Sequence, residues 1–138
     1  ISVNINMILG IGTDIIAIER IRKVYKKFPN SFYKKILSPI ELTKYKSIRH
    51  EDRKIKFLAS RWAAKEALVK ALGTGFRNGM YLPNLSIANT ELGQPQIILS
   101  VNIQTIINKN FNNDKINFHL TLSDEANYTV AFVVIEKH

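Results

Sequence analysis

The sequence predicts an α+β fold: a single compact domain over residues 1–138, with a small, largely antiparallel sheet packed against a long central helix. Helix signals dominate residues 16–72, strand signals dominate the chain after residue 85, and no linker or internal repeat separates the two parts. The chain has 138 residues, 46% of them hydrophobic, which is enough to bury one core.

The apolar run Ile8–Ile16 predicts a buried strand with one acid, Asp14, near its end. A buried carboxylate is costly unless something pairs with it, so Asp14 is expected to have a partner. The alternative is that Asp14 caps the next predicted helix, Ile16 to about Lys27. Gly10 and Gly12 lack the spacing of a nucleotide-binding loop, and we expect them to allow close backbone packing or a bulge.

Three helices are predicted in the middle of the chain. Pro29 to Leu37 suggests a short one. The segment Ser38-Pro39-Ile40-Glu41 begins the next, with serine as N-cap, proline in the first position and glutamate reaching back. Glu51 and Asp52 favour the first turn of a long helix that ends before Gly73.

The long helix carries charged residues at helical spacing. Trp62, Glu66 and Lys70 form one ridge, and Arg61 and Lys65 form a basic ridge beside it. A carboxylate that suits a hard cation, next to cations that bind phosphate, is the arrangement that phosphoryl chemistry needs. The alternative is a Glu66–Lys70 pair on a solvated helix face.

The second half of the chain contains four predicted strands and one helix. The strands are Leu85–Ala88, Gln96–Leu99, Asn117–Leu122 and Tyr128–Ile135, and the helix runs from Ile103 to about Phe111. The turn Gly93-Gln94-Pro95 joins the first two strands. Apolar and polar residues alternate only weakly in the last strand, which predicts a central strand buried on both faces.

The charge is unevenly distributed. Residues 1–75 carry 16 lysines and arginines against 6 acids, whereas residues 76–138 carry 4 against 5. Such a basic surface attracts nucleic acid, an anionic membrane or an acidic protein, or is simply solvated. No stretch of 18 apolar residues predicts a membrane span, and the absence of cysteine excludes disulfides, thiolate metal sites and a cysteine nucleophile. The basic cluster on the first helix comprises Arg20, Arg22, Lys23, Lys26 and Lys27.

Two segments together resemble the signature motifs of the phosphopantetheinyl transferases. They are Gly10-Ile11-Gly12-Thr13-Asp14-Ile15 and Arg61-Trp62-Ala63-Ala64-Lys65-Glu66-Ala67. The chain is most similar to the short, holo-acyl-carrier-protein synthase type of this family. The similarity continues in order through Lys70 to Gly75, Gly93 to Pro95, and Leu122 to Ala131.

The resemblance implies half of the pseudo-dimeric fold of the larger family members. It also implies an activity, transfer of the 4′-phosphopantetheine arm of coenzyme A to a serine of apo acyl carrier protein in support of fatty acid biosynthesis. Asp14 and Glu66 would then bind Mg²⁺, and Lys70 would hold the pyrophosphate. Either Glu66 or a metal-associated water would take the serine proton.

The resemblance also implies contacts with coenzyme A, which would be bound by Arg53, Phe57, Arg61, Lys70, Gly73 and Pro95. Acyl carrier proteins are acidic around their modified serine, so the charge of the first helix makes Arg20, Arg22, Lys23 and Lys26 the candidates for docking the carrier protein. The resemblance further implies a homotrimer with sites at subunit interfaces. One departure is Asp124, which stands where the family usually has histidine.

A basic nucleic-acid-binding module is the alternative function. It explains the charge, but it leaves the buried acid at Asp14 unexplained, and the chain has no row of exposed aromatic residues of the kind that single-strand binders use. We therefore expect no nucleic acid partner. The first residues lack the basic start and apolar core of a signal peptide, so we expect a cytoplasmic protein, or one in a plastid-type organelle after removal of a transit peptide.

Overall fold

The structure is a computed structural model that describes residues 5–73 and 80–138. Thr74 and Gly75, which form part of the family resemblance, lie outside the described residues. The strands are β1 (Met7–Ala17), β2 (Leu85–Asn89), β3 (Pro95–Leu99), β4 (Ile116–Asp124) and β5 (Tyr128–Lys137). The α-helices are α1 (Ile18–Lys27), α2 (Pro39–Ser47), α3 (Glu51–Leu72) and α4 (Val101–Asn110), with 3₁₀ turns at Phe32–Lys35 and Leu82–Asn84.

The strands form an antiparallel sheet in the order β1-β5-β4, and β2 pairs with β3 in an antiparallel hairpin. Helix α3 packs against one face of the three-stranded sheet. The predicted α+β fold with a long helix on an antiparallel sheet is therefore confirmed. None of the helices within the described ranges has the length and hydropathy needed to cross a membrane.

Strand β5 is central, as predicted, but it is buried on one face only. Ala131, Val133 and Ile135 point toward α3 and are completely buried, whereas Phe132 on the other face is 42% exposed. The prediction that both faces are buried is wrong for the single chain, because α3 covers only one side of the sheet. The open side carries further exposed apolar residues, Ile11 and Ile15 of β1.

Two glycines bring β1 into direct contact with the backbone of α3. A Cβ atom on Gly10 would overlap the carbonyl oxygen of Ala71, and one on Gly12 would overlap that of Ala67. This result confirms the predicted close packing. Because side chains alternate along a strand, Asp14 follows Gly10 and Gly12 on the side that faces α3.

The helix boundaries follow local chemistry in most places. Ser38 and Glu41 form the predicted capping box at the start of α2, and Gly73 ends α3 in the left-handed conformation with φ of 71°. Asp14 does not cap α1, because β1 continues to Ala17, which is the N-cap. The helix predicted over Pro29–Leu37 is only the 3₁₀ turn at Phe32–Lys35.

Candidate active site

Asp14 lies at the junction of β1 and the C-terminal part of α3. Its side chain is 16% exposed, and its Oδ1 atom is 3.3 Å from Nζ of Lys70. The same ammonium group donates a hydrogen bond of 3.1 Å to the carbonyl oxygen of Thr13. Lys70 therefore links the last turn of α3 to the strand that carries the acid.

Glu66 lies one turn before Lys70 and interacts electrostatically with Asp14. Partial burial raises the pKa of Glu66, and the negative charge of Asp14 raises it further, while the charges of Lys70 and Arg20 act in the opposite direction. Two carboxylates from distant parts of the sequence are thus close enough to repel each other. The ammonium of Lys70 pairs with Asp14, so the alternative of a simple Glu66–Lys70 surface pair is not what the structure contains.

The chemistry of these donors fits a hard cation. Carboxylate oxygens are ligands that Mg²⁺ prefers, and a divalent ion would relieve the repulsion between Asp14 and Glu66. Within residues 5–73 and 80–138, no cluster of three or more histidine, cysteine, aspartate or glutamate side chains is placed to hold a metal. A two-carboxylate site leaves the remaining positions for water and substrate oxygens, as Mg²⁺ usually requires.

A second group of predicted site residues surrounds Arg61. Its guanidinium lies over the ring of Phe57, 4.2 Å from the ring centroid, and donates hydrogen bonds of 3.1 Å to Ser60 Oγ and Asn89 Oδ1. The side chain is nine-tenths buried, and its buried Nε has no hydrogen-bond partner in the described structure. Burial lowers the pKa of Arg61, although Glu41 and Asp124 counteract this effect.

A cavity of about 260 Å³ lies beside this arginine. The guanidinium of Arg61 lines this cavity, and a guanidinium group is a good partner for phosphate oxygens. Pro95 lies opposite Asn89 in the β2–β3 register, so the hairpin brings the predicted Pro95 close to Arg61. The residues that line the cavity are Ile40, Glu41, Lys44, Phe57, Arg61, Ile87, Ala88 and Asn89.

Two residues and one cavity differ from what the sequence indicated. Lys65 is completely buried and pairs with Glu41, so it is not part of an exposed basic ridge. Asn89, which holds Arg61, was not predicted, because it follows an ordinary strand pattern and its partner is 28 positions away. A larger cavity of about 590 Å³ lies between α2 and α4, and none of the predicted site residues line it.

The two groups of site residues lie on opposite sides of α3. Phe57 and Glu66 are nine residues apart in this helix, which is about two and a half turns. Residues four apart share a face of a helix, so Arg53 is on the side of Phe57, and Lys70 is on the side of Glu66. One chain therefore presents two halves that face away from each other: one contains Asp14, Glu66 and Lys70, and the other contains Arg53, Phe57 and Arg61.

Helix α1 presents most of the predicted partner-binding residues to solvent. Arg20, Lys23 and Lys26 are exposed. Arg22 is half-buried and forms ion pairs with Asp52 of α3, at 2.7 Å, and with Glu19, at 3.3 Å. Asp52 and Glu19 therefore compete with any external acid for Arg22.

Asp124 ends β4 and is exposed. Its Oδ1 accepts a hydrogen bond of 3.0 Å from Oγ1 of Thr129, across the turn that joins β4 to β5. This hydrogen bond ties the end of β4 to the start of β5, so Asp124 helps to fix the turn.

Comparison with known proteins identifies the class of enzyme. The family model of the 4′-phosphopantetheinyl transferase superfamily matches residues 10–133. The chain therefore belongs to this superfamily, and the family recognised from the two sequence motifs is confirmed. Membership favours a transferase over a nucleic-acid-binding module.

Individual relatives narrow the assignment. A holo-[acyl-carrier-protein] synthase from Ehrlichia chaffeensis is 42% identical over 129 residues, which are 94% of this chain and 97% of that protein. The solved synthase from Neisseria meningitidis has a TM-score of 0.85 and 37% identity, and the match covers 95% of this chain and all of that one. The Bacillus anthracis synthase, solved in complex with CoA (3′,5′-ADP), has a TM-score of 0.75 and 33% identity. The match covers 96% of this chain and 99% of that one.

Proposed function

We propose that this chain transfers the 4′-phosphopantetheine arm of coenzyme A to a serine hydroxyl of an apo acyl carrier protein, and releases adenosine 3′,5′-bisphosphate. The observation that carries the proposal is the convergence of Asp14, Glu66 and Lys70 at one side of α3. This arrangement supplies carboxylates for a divalent cation and an ammonium group for phosphate, which are the parts that phosphoryl transfer requires.

Asp14 and Glu66 would hold Mg²⁺ in this site. When bound, Mg²⁺ neutralises the negative charge that develops on the pyrophosphate and orients it for attack by the serine hydroxyl. Lys70 contributes a positive charge to the same pyrophosphate. Either Glu66 or a water associated with the metal would take the proton of the serine hydroxyl.

The nucleotide end of coenzyme A would occupy the cavity beside Arg61. The guanidinium there lines the cavity and carries a positive charge that a phosphate group would balance. Phe57 offers an aromatic face, and Arg53 adds a positive charge one turn earlier on the same side of α3. Gly73 and Pro95 complete the predicted coenzyme A contacts, at the end of α3 and at the start of β3 respectively.

A complete site needs two copies of the chain. The metal-binding half and the nucleotide-binding half face opposite directions, so each must meet the complementary half of a neighbour. The open face of the sheet supports this assembly, because Ile11, Ile15 and Phe132 form an exposed apolar surface that a monomer rarely leaves uncovered. We propose the homotrimer that the family resemblance implies, a closed ring in which every half-site is used.

The exposed side of α1 is the proposed docking surface for the carrier protein. Arg20, Lys23 and Lys26 attract an acidic partner, and Arg20 is near enough to Glu66 to lower its pKa. The helix ends beside an apolar pocket of about 270 Å³ that includes the exposed Val24 and Phe28. An acidic, amphipathic surface therefore fits this region. We propose the cytoplasm as the compartment, since a chain without cysteine fits a reducing environment.

Incubation of the chain with coenzyme A, Mg²⁺ and an apo acyl carrier protein tests the proposal. We expect the carrier protein to gain the mass of phosphopantetheine, and adenosine 3′,5′-bisphosphate to appear in equal amount. Chelation of the metal should stop both. Retention of full transfer in excess chelator would contradict the metal role, and absence of transfer to any apo carrier protein would contradict the function.

Mixing two inactive variants tests the shared site. Glu66→Gln removes a metal ligand, and Arg61→Ala removes the nucleotide anchor, so each variant alone should be inactive. When subunits exchange, some interfaces combine an intact Glu66 with an intact Arg61, and activity should return. Persistent inactivity of a mixture that has exchanged subunits would show that one copy contains the whole site.

A further inference from the structure

Two charged side chains are completely buried behind the nucleotide cavity, and the proposed chemistry does not use either of them. Nζ of Lys65 is 2.5 Å from Oε1 of Glu41, and both side chains are 0% exposed. The same nitrogen donates hydrogen bonds to the carbonyl oxygens of Ile36, at 2.6 Å, and Leu82, at 2.8 Å. Three acceptors use all three hydrogens of an ammonium group, so Lys65 is protonated even though burial lowers its pKa.

The carboxylate of Glu41 is also fully engaged. Its Oε1 accepts a hydrogen bond of 2.9 Å from the amide of Ser38 in addition to the contact with Lys65. Its Oε2 accepts one of 2.9 Å from the amide of Ile87 in β2. The pair therefore joins α2, α3 and β2 directly beneath the cavity that Arg61 lines.

Arg61 is the third buried charge in this region, and its hydrogen bonds run to the neutral oxygens of Ser60 and Asn89. Glu41 lines the same cavity and is near enough for its charge to act on the guanidinium. The other carboxylate that acts on Arg61 is Asp124, which is bound to Thr129. Both neighbouring carboxylates are thus held by other residues.

We propose that Lys65 is a positioning residue for coenzyme A: by holding the carboxylate of Glu41, it keeps that carboxylate from pairing with Arg61 and leaves the guanidinium for the phosphates of the nucleotide. This inference rests on the proposed function. Arg61, Lys65 and Glu41 are all buried and together carry one excess positive charge, which lies on the side of the cavity lined by Arg61. An arriving phosphate balances that charge, whereas an internal Arg61–Glu41 pair would remove the need for it.

Two single substitutions separate this role from simple support of the fold. Lys65→Met and Glu41→Gln each break the buried pair, and each should lower the melting temperature, because one charge or polar group loses its partner. Their effects on nucleotide affinity should differ. In Lys65→Met, Glu41 keeps the hydrogen bonds from the amides of Ser38 and Ile87 but loses its cationic partner, so its negative charge is left to Arg61. Affinity should then fall about tenfold or more. In Glu41→Gln, the carboxylate of Glu41 no longer competes, Asp124 is unchanged, and affinity should stay within about threefold of wild type or improve.

The measurement is calorimetric titration of the whole chain with adenosine 3′,5′-bisphosphate, alongside KM for coenzyme A, KM for the carrier protein, and kcat. Lys65→Met should raise KM for coenzyme A and leave KM for the carrier protein unchanged. Lys56→Met is the matched control, since Lys56 lies on the same helix in an exposed pair with Asp52. It should change none of these quantities.

The double variant Lys65→Met/Glu41→Gln keeps the test decisive if Lys65→Met does not fold. It removes both buried charges, an exchange that proteins often tolerate, and it should bind the bisphosphate like wild type. Loss of binding in Glu41→Gln or in the folded double variant would overturn the role of Lys65, as would unchanged binding in Lys65→Met. Failure of the wild-type chain to bind the bisphosphate would instead contradict the proposed function.

Discussion

Gly12 on β1 lies so close to Ala67 on α3 that no side chain fits between the two backbones. Gly10 repeats this contact one helical turn later, against Ala71. The strand therefore follows the helix at backbone distance, and the next residue on the same side, Asp14, comes to the part of α3 that carries Glu66 and Lys70. The close packing of β1 against α3 thus brings the carboxylates of Asp14 and Glu66 near each other.

The first prediction concerns this contact. Gly12→Ala should destabilise the fold by about 3 kcal/mol, because the new methyl group meets backbone atoms that cannot rotate away. Transfer activity should fall as Asp14 moves away from Glu66. Gly73→Ala is the control: among the described residues its Cβ meets nothing within 4 Å, and the positive φ should cost about 1 kcal/mol. Urea unfolding of both variants measures the difference, and equal costs would contradict the steric explanation.

The second prediction is that Glu66→Gln loses activity but gains stability in the absence of metal. Burial and the charge of Asp14 raise the pKa of Glu66 in the folded state, so the folded chain holds this proton more tightly than the unfolded chain does. The stabilising contribution is therefore complete below the unfolded pKa and is lost as pH rises through the folded pKa. At neutral pH the ionised Glu66 costs stability, which glutamine avoids.

Thermal melting in chelator between pH 4 and 8 measures this effect. The melting temperature of Glu66→Gln should exceed that of wild type by an amount that grows with pH, and added Mg²⁺ should stabilise only the wild type. Glu51→Gln, an exposed change in the first turn of α3, is the control and should show neither trend. A constant difference across the pH range would show that Glu66 is not the group responsible.

The third prediction separates two arginines of α1. Arg20→Glu should raise KM for the carrier protein about tenfold and leave KM for coenzyme A unchanged, because Arg20 is exposed and points to the proposed docking side. Arg22→Glu should also lower the melting temperature, because it replaces an ion pair with Asp52 by repulsion. Lys109→Glu on α4 serves as the control for net charge. Equal changes in both KM values for Arg20→Glu would show that the docking surface for the carrier protein does not include Arg20.

Much of the fold could be predicted because its signals are local. The capping box at Ser38 and Glu41, the stop at Gly73 and the turn at Gly93 each depend on residues within a few positions of one another. The candidate metal ligands, Asp14 and Glu66, could be paired only by their family motifs, since nothing in the spacing of 52 residues indicates a contact.

The buried pair of Lys65 and Glu41 shows why the rest of the site could not be predicted. Each residue has a sufficient local explanation, Glu41 as a helix cap and Lys65 as part of a basic ridge, and the two are 24 positions apart. Their contact depends on how α2 packs against α3. The open face of β5 was missed for a related reason: the apolar pattern of Phe132 and its neighbours does not reveal whether another copy of the chain covers them.

The last prediction concerns Asp124, whose carboxylate has two effects that can be separated. It accepts a hydrogen bond from Thr129, and its negative charge acts on Arg61. Asp124→Asn keeps an acceptor for Thr129 and removes the charge, so it should preserve the melting temperature and bind coenzyme A more tightly, by about threefold to tenfold. Thr129→Val keeps the charge and removes the hydrogen bond, so it should cost about 1 kcal/mol of stability and leave affinity unchanged.

Asp124→His, which restores the residue usual in the family, should combine the two results, with tighter coenzyme A binding and a lower melting temperature. The reason is that the imidazole removes the repulsion of phosphate but does not replace the carboxylate as acceptor for Thr129 across the turn. Parallel titrations with coenzyme A and with Mg²⁺ decide the assignment. Weaker Mg²⁺ binding in Asp124→Asn would place this carboxylate with Asp14 and Glu66 at the metal, and would contradict the role in the turn.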